Sequence, residues 1–255
     1  MKETKVATPR EMRDMVAGMR TDDPSWFEYD SGTVSPAELT ALLSDHLLPA
    51  RRDAIESVLT GRTENVAVVI EGMVDVGNVS AILRTADGFG IQRVHAVDNA
   101  GKYKRSKRTT RGADKWVDKY RWETTEECFS NLRSDGYRIV VADVGASSQP
   151  ISELDLTDRC AIVFGNELDG LSAAARAGAD ASVTVPMEGF AESFNISVAA
   201  AIALYEIHRQ RMSKRGVSGD LSPEAKDRIR AVWYAKTVTN ARVVVEHKLS
   251  GSQPS

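Results

Sequence analysis

Short apolar runs alternate with helical patterns along most of the chain after Asn65. The runs have the composition of strands and are Val66–Ile70, Arg93–Val97, Tyr137–Ala142, Ala161–Phe164 and Val183–Val185. Helical stretches are predicted between and after them, at Val79–Phe89, Glu126–Arg133, Leu171–Ala177 and Ile196–Gln210. Alternation of this kind predicts an α/β fold in which helices cover both faces of a parallel sheet.

The two ends of the chain have a different, mainly helical pattern. Apolar residues recur at helical spacing at Met12, Met15, Val16 and Met19. Ser35–Glu38 then provides an N-cap and a capping-box glutamate for a helix, and a further helix is expected to end at Gly61. After Arg211 a polar linker leads to another helix start at Ser222, and the last residues are expected to be disordered. We therefore expect a helical N-terminal extension, a central domain and a C-terminal helical extension with a disordered tail: 1–62, 63–211 and 212–255.

Composition limits the kind of protein this chain can be. Of its 255 residues, 42% are hydrophobic and 27% are charged, which suits one domain with terminal extensions. No apolar run approaches the ~20 residues that span a bilayer, and the N-terminus lacks the apolar region of a secretory signal. A cytoplasmic location is therefore expected. Cys128 and Cys160 lack metal-binding spacing, and Cys160 begins an apolar run, so a buried small side chain is expected there.

The distribution of charge is more informative than its sum. A net charge of −3 argues mildly against RNA binding. Between Lys102 and Arg121, however, there are nine Lys or Arg residues against two acids. The stretch Gly101–Arg111, which overlaps this basic segment, has almost no large apolar residue and is expected to be a surface loop. Such a segment is either a solvated surface or a contact for RNA phosphates.

The first of three polar segments, Asn78–Gly90, follows the strand pattern Val66–Ile70. Asn78 stands where a helix begins, so it could cap that helix. Arg84 lies close to two turns further along, near the same face, among small or hydrophobic residues. Arg84 is either a buried partner of Asp87 or a functional group at a cleft, and the residues alone leave both interpretations open.

The second and third polar segments also follow strand patterns. Gly165 permits close backbone approaches that a Cβ would block, and Glu167 could bind a ligand or cap the helix ahead. In the third segment, Ser193 and Asn195 precede an alanine-rich helix that they could cap. The turn allowed by Gly189, the polar pair and the small-residue helix together favour a loop that encloses a ligand.

Other chemistries lack their signatures in this sequence. No GxGxxG follows the first strand, so a Rossmann cofactor site is not supported. There is also no Walker phosphate loop and no GxSxG nucleophile motif. The histidines are scattered, without the carboxylate or cysteine spacing of a metal site: His46, His95, His208 and His247. No metal is expected.

In their order and spacing, the segments Asn78–Gly90, Ile162–Gly170 and Val185–Arg211 resemble the three motifs of the SPOUT superfamily of RNA methyltransferases. The similarity is closest to the tRNA guanosine 2′-O-methyltransferase branch. This resemblance implies a deep C-terminal trefoil knot, a feature rare among proteins, whose walls bind S-adenosylmethionine. It also implies a homodimer that methylates the ribose 2′-hydroxyl of a D-loop guanosine in tRNA.

The resemblance further implies roles for individual residues. The active-site set is Arg84, Asn78, Glu167, Ser193 and Asn195. The S-adenosylmethionine pocket is Ala142, Gly165, Glu167, Val185, Met187 and Phe194. Arg84 matches the arginine assigned to catalysis, which either removes the hydroxyl proton or orients the ribose and stabilises the developing alkoxide. From the basic segment beside this site we expect contacts with tRNA phosphates, made by Lys104, Arg105, Lys107, Arg108 and Arg111.

Several alternatives differ in substrate or in class. A related 2′-O-methyltransferase would act on rRNA or on another position of tRNA, and the altered, more basic loop before Trp116 leaves the breadth of substrates open. A knotted RNA-binding protein without catalysis is disfavoured by the intact active-site set. An oxidoreductase that uses a nucleotide cofactor is disfavoured by the missing glycine fingerprint. For residues 1–62, an RNA-docking role and a packing or dimer-supporting role are both open.

Overall fold

The computed structural model describes residues 20–72, 75–97, 115–145, 148–166 and 169–251. The methionine stripe expected near the N-terminus, the loop expected at Gly101–Arg111 and the candidate ligand-binding residue Glu167 lie outside these residues. The chain divides into two compact units. One comprises Met1–Thr60 together with Leu221–Ser255, and the other comprises Gly61–Asp220. The first unit therefore contains both ends of the chain.

Strands and helices are numbered in chain order over the described residues. The strands are β1 (Glu28–Tyr29), β2 (Gly32–Thr33), β3 (Thr63–Glu71), β4 (Ile91–Val97), β5 (Asp118–Trp122), β6 (Arg138–Ala142), β7 (Gln149–Pro150), β8 (Cys160–Phe164) and β9 (Ala181–Thr184). The helices are α1 (Pro36–Ser44), α2 (Pro49–Thr60), α3 (Val76–Gly88), α4 (Thr125–Ser134), α5 (Ala173–Ala177), α6 (Ile196–Arg215), α7 (Pro223–Thr237) and α8 (Ala241–Ser250).

Capping residues start the helices of the first unit where the sequence predicts them. The backbone N–H of Glu38 donates to Ser35 Oγ (3.2 Å), and the Ser35 N–H donates to Glu38 Oε2 (2.7 Å), which confirms the capping box of α1. Ser222 accepts from the N–H of Ala225 (3.1 Å) at the start of α7. The α2 helix ends directly before Gly61, also as predicted.

The second unit is built on a parallel sheet. Its strand order is β5-β4-β3-β8-β6-β9-β7, and each neighbouring pair among the described residues is parallel. All of the expected strands are present, so the predicted α/β fold is confirmed. The two edge strands, β5 and β7, were not predicted from the sequence, because β5 is mostly polar (DKYRW) and β7 has two residues. The knot stays a prediction.

Helices cover both faces of this sheet because the side chains of β3 alternate between them. On one face the core joins β3 to α3 and α6, through Val66, Val68, Ile70, Ile82, Leu83, Ala200 and Leu204. On the other face it joins β3 to α4 and α5, through Ala67, Val69, Phe129, Leu132 and Ala175. The sequence of a strand that is buried on both faces is a continuous apolar run, which explains why β3 could be predicted.

The two cysteines are buried in these cores as free thiols. Cys128 is 0% exposed and Cys160 is 3% exposed. Burial raises the pKa of each thiol to about 12, because the charged thiolate is poorly solvated in an apolar surrounding. The expected buried position of Cys160 is confirmed.

Both thiols are expected to resist alkylation by iodoacetamide at neutral pH in the folded protein, because the thiolate is the reactive form. Mass spectrometry of briefly treated protein should find neither cysteine modified. The same treatment in guanidinium chloride is the control and should modify both. Alkylation of the folded protein at the rate seen for the unfolded chain would contradict the buried, protonated state.

Candidate active site

The carboxyl ends of four adjacent parallel strands meet at one edge of the sheet. In sheet order, β3, β8, β6 and β9 end at Glu71, Phe164, Ala142 and Thr184. Segments that follow these strands leave the sheet on the same side, where open α/β sheets bind ligands. The three polar segments of the sequence follow β3, β8 and β9, so the fold brings them to this edge.

A side-chain hydrogen bond joins the first polar segment to the third. Asn195 Nδ2 donates to Asn78 Oδ1 at 3.2 Å across a separation of 117 residues. Asn195 also caps α6, since its Oδ1 accepts from the N–H of Ser197 (2.9 Å) and from Ser197 Oγ (2.6 Å). The capping interpretation of Asn195 is confirmed, and the same side chain reaches Asn78.

Asn78 itself is not the N-cap of its helix, which corrects the sequence interpretation. The cap is Asp75, whose Oδ1 accepts from the N–H of Gly77 (2.5 Å) and of Asn78 (3.3 Å). The helix α3 therefore begins at Val76, and Asn78 lies within its first turn. Asp75 accepts from the first N–H groups of the helix, so the Asn78 side chain is not needed as a cap. Its Oδ1 instead accepts from Asn195 Nδ2.

Arg84 is exposed on α3, and the alternative that pairs it with Asp87 is wrong. Asp87 instead forms an ion pair with Arg62, whose side chain is only 1% exposed. The expectation that Asn78 and Arg84 share a helix face is also wrong. At about 100° per residue, six positions along α3 place them about 120° apart around the helix axis. The Arg84 guanidinium is therefore open to solvent and to a ligand.

The glycine of the second polar segment lies against backbone that returns toward it. A Cβ on Gly165 would lie 2.3 Å from the carbonyl carbon of Gly170 and 2.4 Å from the nitrogen of Leu171. Asn166 and Gly170 exchange two backbone hydrogen bonds (3.1 and 3.2 Å), which hold these two residues side by side. Gly165 is therefore required for this close approach, as the sequence predicts. Since Glu167 lies outside the described residues, its role stays a prediction.

The remaining candidate pocket residues differ in exposure. Ala142 is half-buried at the end of β6, paired in register with Phe164 on one side and Val183 on the other. Val185 and Met187 are half-buried after β9, and Val185 packs against the core. The two remaining predicted residues of the third segment, Ser193 and Phe194, are exposed. The fold therefore brings Ala142, Gly165 and Val185 to the ends of adjacent strands.

Two carboxylates at this edge were not predicted from the sequence. Glu71, 2% exposed, accepts from the N–H of Ser172 (2.8 Å), from Ser172 Oγ (2.7 Å) and from the hydroxyl of Thr125. Asp143 pairs with Arg176 (Nε to Oδ2, 2.7 Å), and the hydrogen bond from this guanidinium holds the pKa of Asp143 below its usual value. The one sequence signal for Glu71 is a carboxylate at the end of an apolar strand.

Two further observations concern the described residues alone. Within those ranges, no group of three or more His, Cys, Asp or Glu side chains is placed to hold a metal ion. Also within them, every helix is too short or too polar to cross a membrane. The predicted phosphate-binding residues lie outside the described part of the chain, so their contact with RNA stays a prediction: Lys104, Arg105, Lys107, Arg108 and Arg111.

Comparison with known proteins identifies the family. Residues 65–205 match the SpoU rRNA methylase family. Two similar relatives are both named tRNA (guanosine(18)-2′-O)-methyltransferase. The one from Borreliella burgdorferi is 32% identical over 80% of this chain and 93% of its own length. The one from Thermus thermophilus is 36% identical over 73% of this chain and 97% of its own length.

Solved structures agree with this assignment. The crystal structure of the A. aeolicus TrmH/SpoU tRNA modifying enzyme superposes with a TM-score of 0.68 at 30% identity, over 74% of this chain and 97% of that one. The SpoU methyltransferase AviRb from Streptomyces viridochromogenes, in complex with AdoMet, has a TM-score of 0.54 at 26% identity, over 62% of this chain and 64% of that one. The chain belongs to the SpoU methylase family, and the predicted resemblance is confirmed.

Proposed function

We propose that this protein transfers the methyl group of S-adenosylmethionine to the ribose 2′-hydroxyl of a D-loop guanosine in tRNA. The relatives that cover most of this chain carry the name of that activity. In the structure, the observation that carries the proposal is the hydrogen bond between Asn195 and Asn78. It joins two distant segments at the edge of the sheet where open α/β folds bind ligands, and both side chains belong to the proposed active-site set.

The residues at this edge fit S-adenosylmethionine. An adenine ring needs apolar contact on its faces and backbone groups at its edge, and half-buried Ala142, Val185 and Met187 lie beside the backbone that follows β6 and β9. We propose that they hold the cofactor together with Gly165, Phe194 and Glu167. When bound, S-adenosylmethionine supplies an electrophilic methyl group.

We propose that Arg84 acts as an orienting cation. A guanidinium is almost never deprotonated in proteins, so it is a poor acceptor for the hydroxyl proton. Exposed Arg84 can instead bind the phosphate beside the target ribose and stabilise negative charge that develops on the 2′-oxygen. Asn78, Asn195, Ser193 and Glu167 complete the proposed set that binds and orients the ribose.

The proposed function is tested with labelled S-adenosylmethionine and unmodified RNA transcripts. We expect label in tRNA at a D-loop guanosine, mapped by nuclease digestion and mass spectrometry, and none in a transcript with adenosine at that position. Label in rRNA fragments but not in tRNA would instead support the rRNA alternative. Calorimetry that detects no binding of S-adenosylmethionine at millimolar concentration would rule out a methyltransferase.

Alanine replacement of residues in the basic segment is expected to weaken tRNA binding without changing the affinity for S-adenosylmethionine. Neutralised phosphates release counterions, so each lost contact should reduce the salt slope of tRNA affinity by about one unit. Filter binding over a range of salt concentrations measures both quantities. The variant combines the replacement of Lys104, Arg105, Lys107, Arg108 and Arg111.

The control for this variant is Lys214→Ala. Lys214 is an exposed lysine that pairs with Asp155 (2.8 Å), and Asp155 precedes the amino end of β8. We expect its replacement to leave the salt slope unchanged. If the variant with the five replacements also kept the tRNA affinity and salt slope of the unaltered protein, the RNA-binding interpretation of the basic segment would be wrong.

We further propose a homodimer that contacts through α6. The small residues of this helix, including Ala200 and Ala203, are buried in the internal core, so they are not the exposed contact face. Val198, Tyr205 and Met212 are instead 45%, 57% and 41% exposed, and their spacing of seven residues places them on one face. A cytoplasmic location is part of the same proposal, because tRNA is the proposed substrate.

Analytical ultracentrifugation is expected to show a dimer, and Tyr205→Glu is expected to shift it toward monomer by placing a charge in the apolar contact. Val243→Glu is the control, because Val243 is 54% exposed but lies on α8. A stable and active monomer of the unaltered protein would contradict the proposed dimer.

A further inference from the structure

Two carboxylates flank the strand that carries the second polar segment. β8 lies between β3 and β6 in the sheet. β3 ends at Glu71, and Asp143 follows the last residue of β6. Both side chains therefore lie at the same edge as Gly165, one on each side of β8. Neither belongs to the active-site set proposed above.

Glu71 holds the backbone that returns past Gly165. Its two oxygens accept from Ser172, from the backbone N–H at 2.8 Å and from Oγ at 2.7 Å. The Thr125 hydroxyl donates to the same carboxylate. With 2% exposure, Glu71 is protected from water, and a buried acceptor of several donors is costly to remove. Ser172 in turn caps α5 by accepting from the N–H of Ala175 (3.0 Å).

Asp143 holds the same stretch of backbone from the other side, through Arg176. The guanidinium binds Asp143 at two points, Nε to Oδ2 at 2.7 Å and Nη2 to Oδ1 at 3.3 Å. Its remaining nitrogen, Nη1, donates to the carbonyl oxygen of Leu171 at 2.7 Å. The backbone of Leu171 and Ser172 is thus fixed to the ends of both strands that neighbour β8.

This double attachment decides where the backbone of Gly170 and Leu171 lies relative to Gly165. There is no room for even one Cβ between them. A displacement of a few tenths of an ångström in Gly170–Ser172 would therefore change the shape of the edge beside Gly165. Binding sites depend on such secondary contacts to keep the primary residues in place.

We propose that Glu71 and the Asp143–Arg176 pair are positioning residues for S-adenosylmethionine binding, which they support by holding Gly170–Ser172 against Gly165. This inference rests on the proposed function, because it takes Gly165 as part of the cofactor pocket. The two attachments act on affinity for the cofactor and not on methyl transfer from bound cofactor. None of these three side chains is assigned contact with the cofactor or with RNA.

The test uses Glu71→Gln in the full chain, with the Kd for S-adenosylmethionine measured by calorimetry without RNA. The amide nitrogen cannot accept from Ser172, so one hydrogen bond to a charged acceptor is lost. We expect Kd and KM for S-adenosylmethionine to rise about tenfold, with kcat at saturating cofactor changed by less than about twofold. Glu71→Asp, which keeps the charge, should restore part of the affinity.

Glu64→Gln is the matched control. Glu64 lies near the other end of β3 and faces Arg93 (Nε to Oε1, 3.4 Å), so the same substitution removes the charge of an ion pair at the opposite edge. We expect it to leave Kd unchanged. If Glu71→Gln does not fold, Arg176→Lys tests the second attachment, because Arg176 is 49% exposed and a lysine cannot make all three contacts. We expect a similar rise in Kd for that variant.

Three outcomes separate the proposals. An unchanged Kd in both Glu71→Gln and Arg176→Lys overturns the positioning inference while leaving the proposed function intact. An equal rise in Kd for Glu64→Gln and Glu71→Gln also overturns it, because the effect would then follow general stability. Absence of S-adenosylmethionine binding by the unaltered protein overturns the proposed function, and the positioning inference falls with it.

Discussion

Replacing Arg84 with alanine is expected to lower kcat for tRNA methylation by about 100- to 1,000-fold, the range typical for loss of one group that stabilises a developing oxyanion. The Kd for S-adenosylmethionine should change by less than about twofold. Cofactor affinity should be preserved because the Arg84 side chain is exposed and forms no ion pair with Asp87, which pairs with Arg62 instead. We therefore expect Arg84→Ala to fold. Single-turnover kinetics and calorimetry measure the two quantities separately.

Arg138→Ala is the control for this prediction. Arg138 is also exposed, but it is the first residue of β6, at the amino edge of the sheet. Its replacement should leave kcat within about twofold of the unaltered protein. A loss of cofactor binding or of folding in Arg84→Ala would contradict a role on the ribose side of the site. Arg84→Lys should recover part of the activity, because it keeps the charge but not the planar fork of donors.

Replacing Gly165 with alanine is expected to lower the affinity for S-adenosylmethionine by at least about tenfold and to destabilise the fold by about 1–3 kcal/mol, the usual cost of overpacking. The new Cβ would lie 2.3 Å from the carbonyl carbon of Gly170. Backbone cannot move aside as a flexible side chain can, and Gly170–Ser172 is held by Glu71 and Arg176. Calorimetry of binding and chemical denaturation measure the two effects.

Gly88→Ala is the matched control, since nothing lies within 4 Å of a Cβ built at this last residue of α3. Its stability should be unchanged or slightly higher, because alanine favours a helix more than glycine does. If Gly165→Ala bound the cofactor as tightly as Gly88→Ala, Gly165 would not shape the pocket. A large loss of stability without a loss of affinity would restrict the role of Gly165 to folding.

Much of the fold could be predicted from local pattern because the central strands are buried on both faces. Such strands must be apolar along their whole length, as Val66–Ile70 and Ala161–Phe164 are. The strand β5 has one face of polar side chains and lies at an edge, so its sequence resembles that of a loop. Caps were predictable where a single side chain decides the helix start, as at Ser35, but Asp75 was missed three residues before Asn78.

The sequence by itself determined the α/β class, the order of the elements and the three polar segments, because these depend on residue type and short-range spacing. Only the tertiary structure decided which side chains meet. Asn195 reaches Asn78 across 117 residues, and Glu71 reaches Ser172 across 101, because parallel strands bring distant segments to one edge. The partner of Asp87 was decided in the same way, since Arg62, which lies directly before β3, binds the carboxylate that Arg84 could have used.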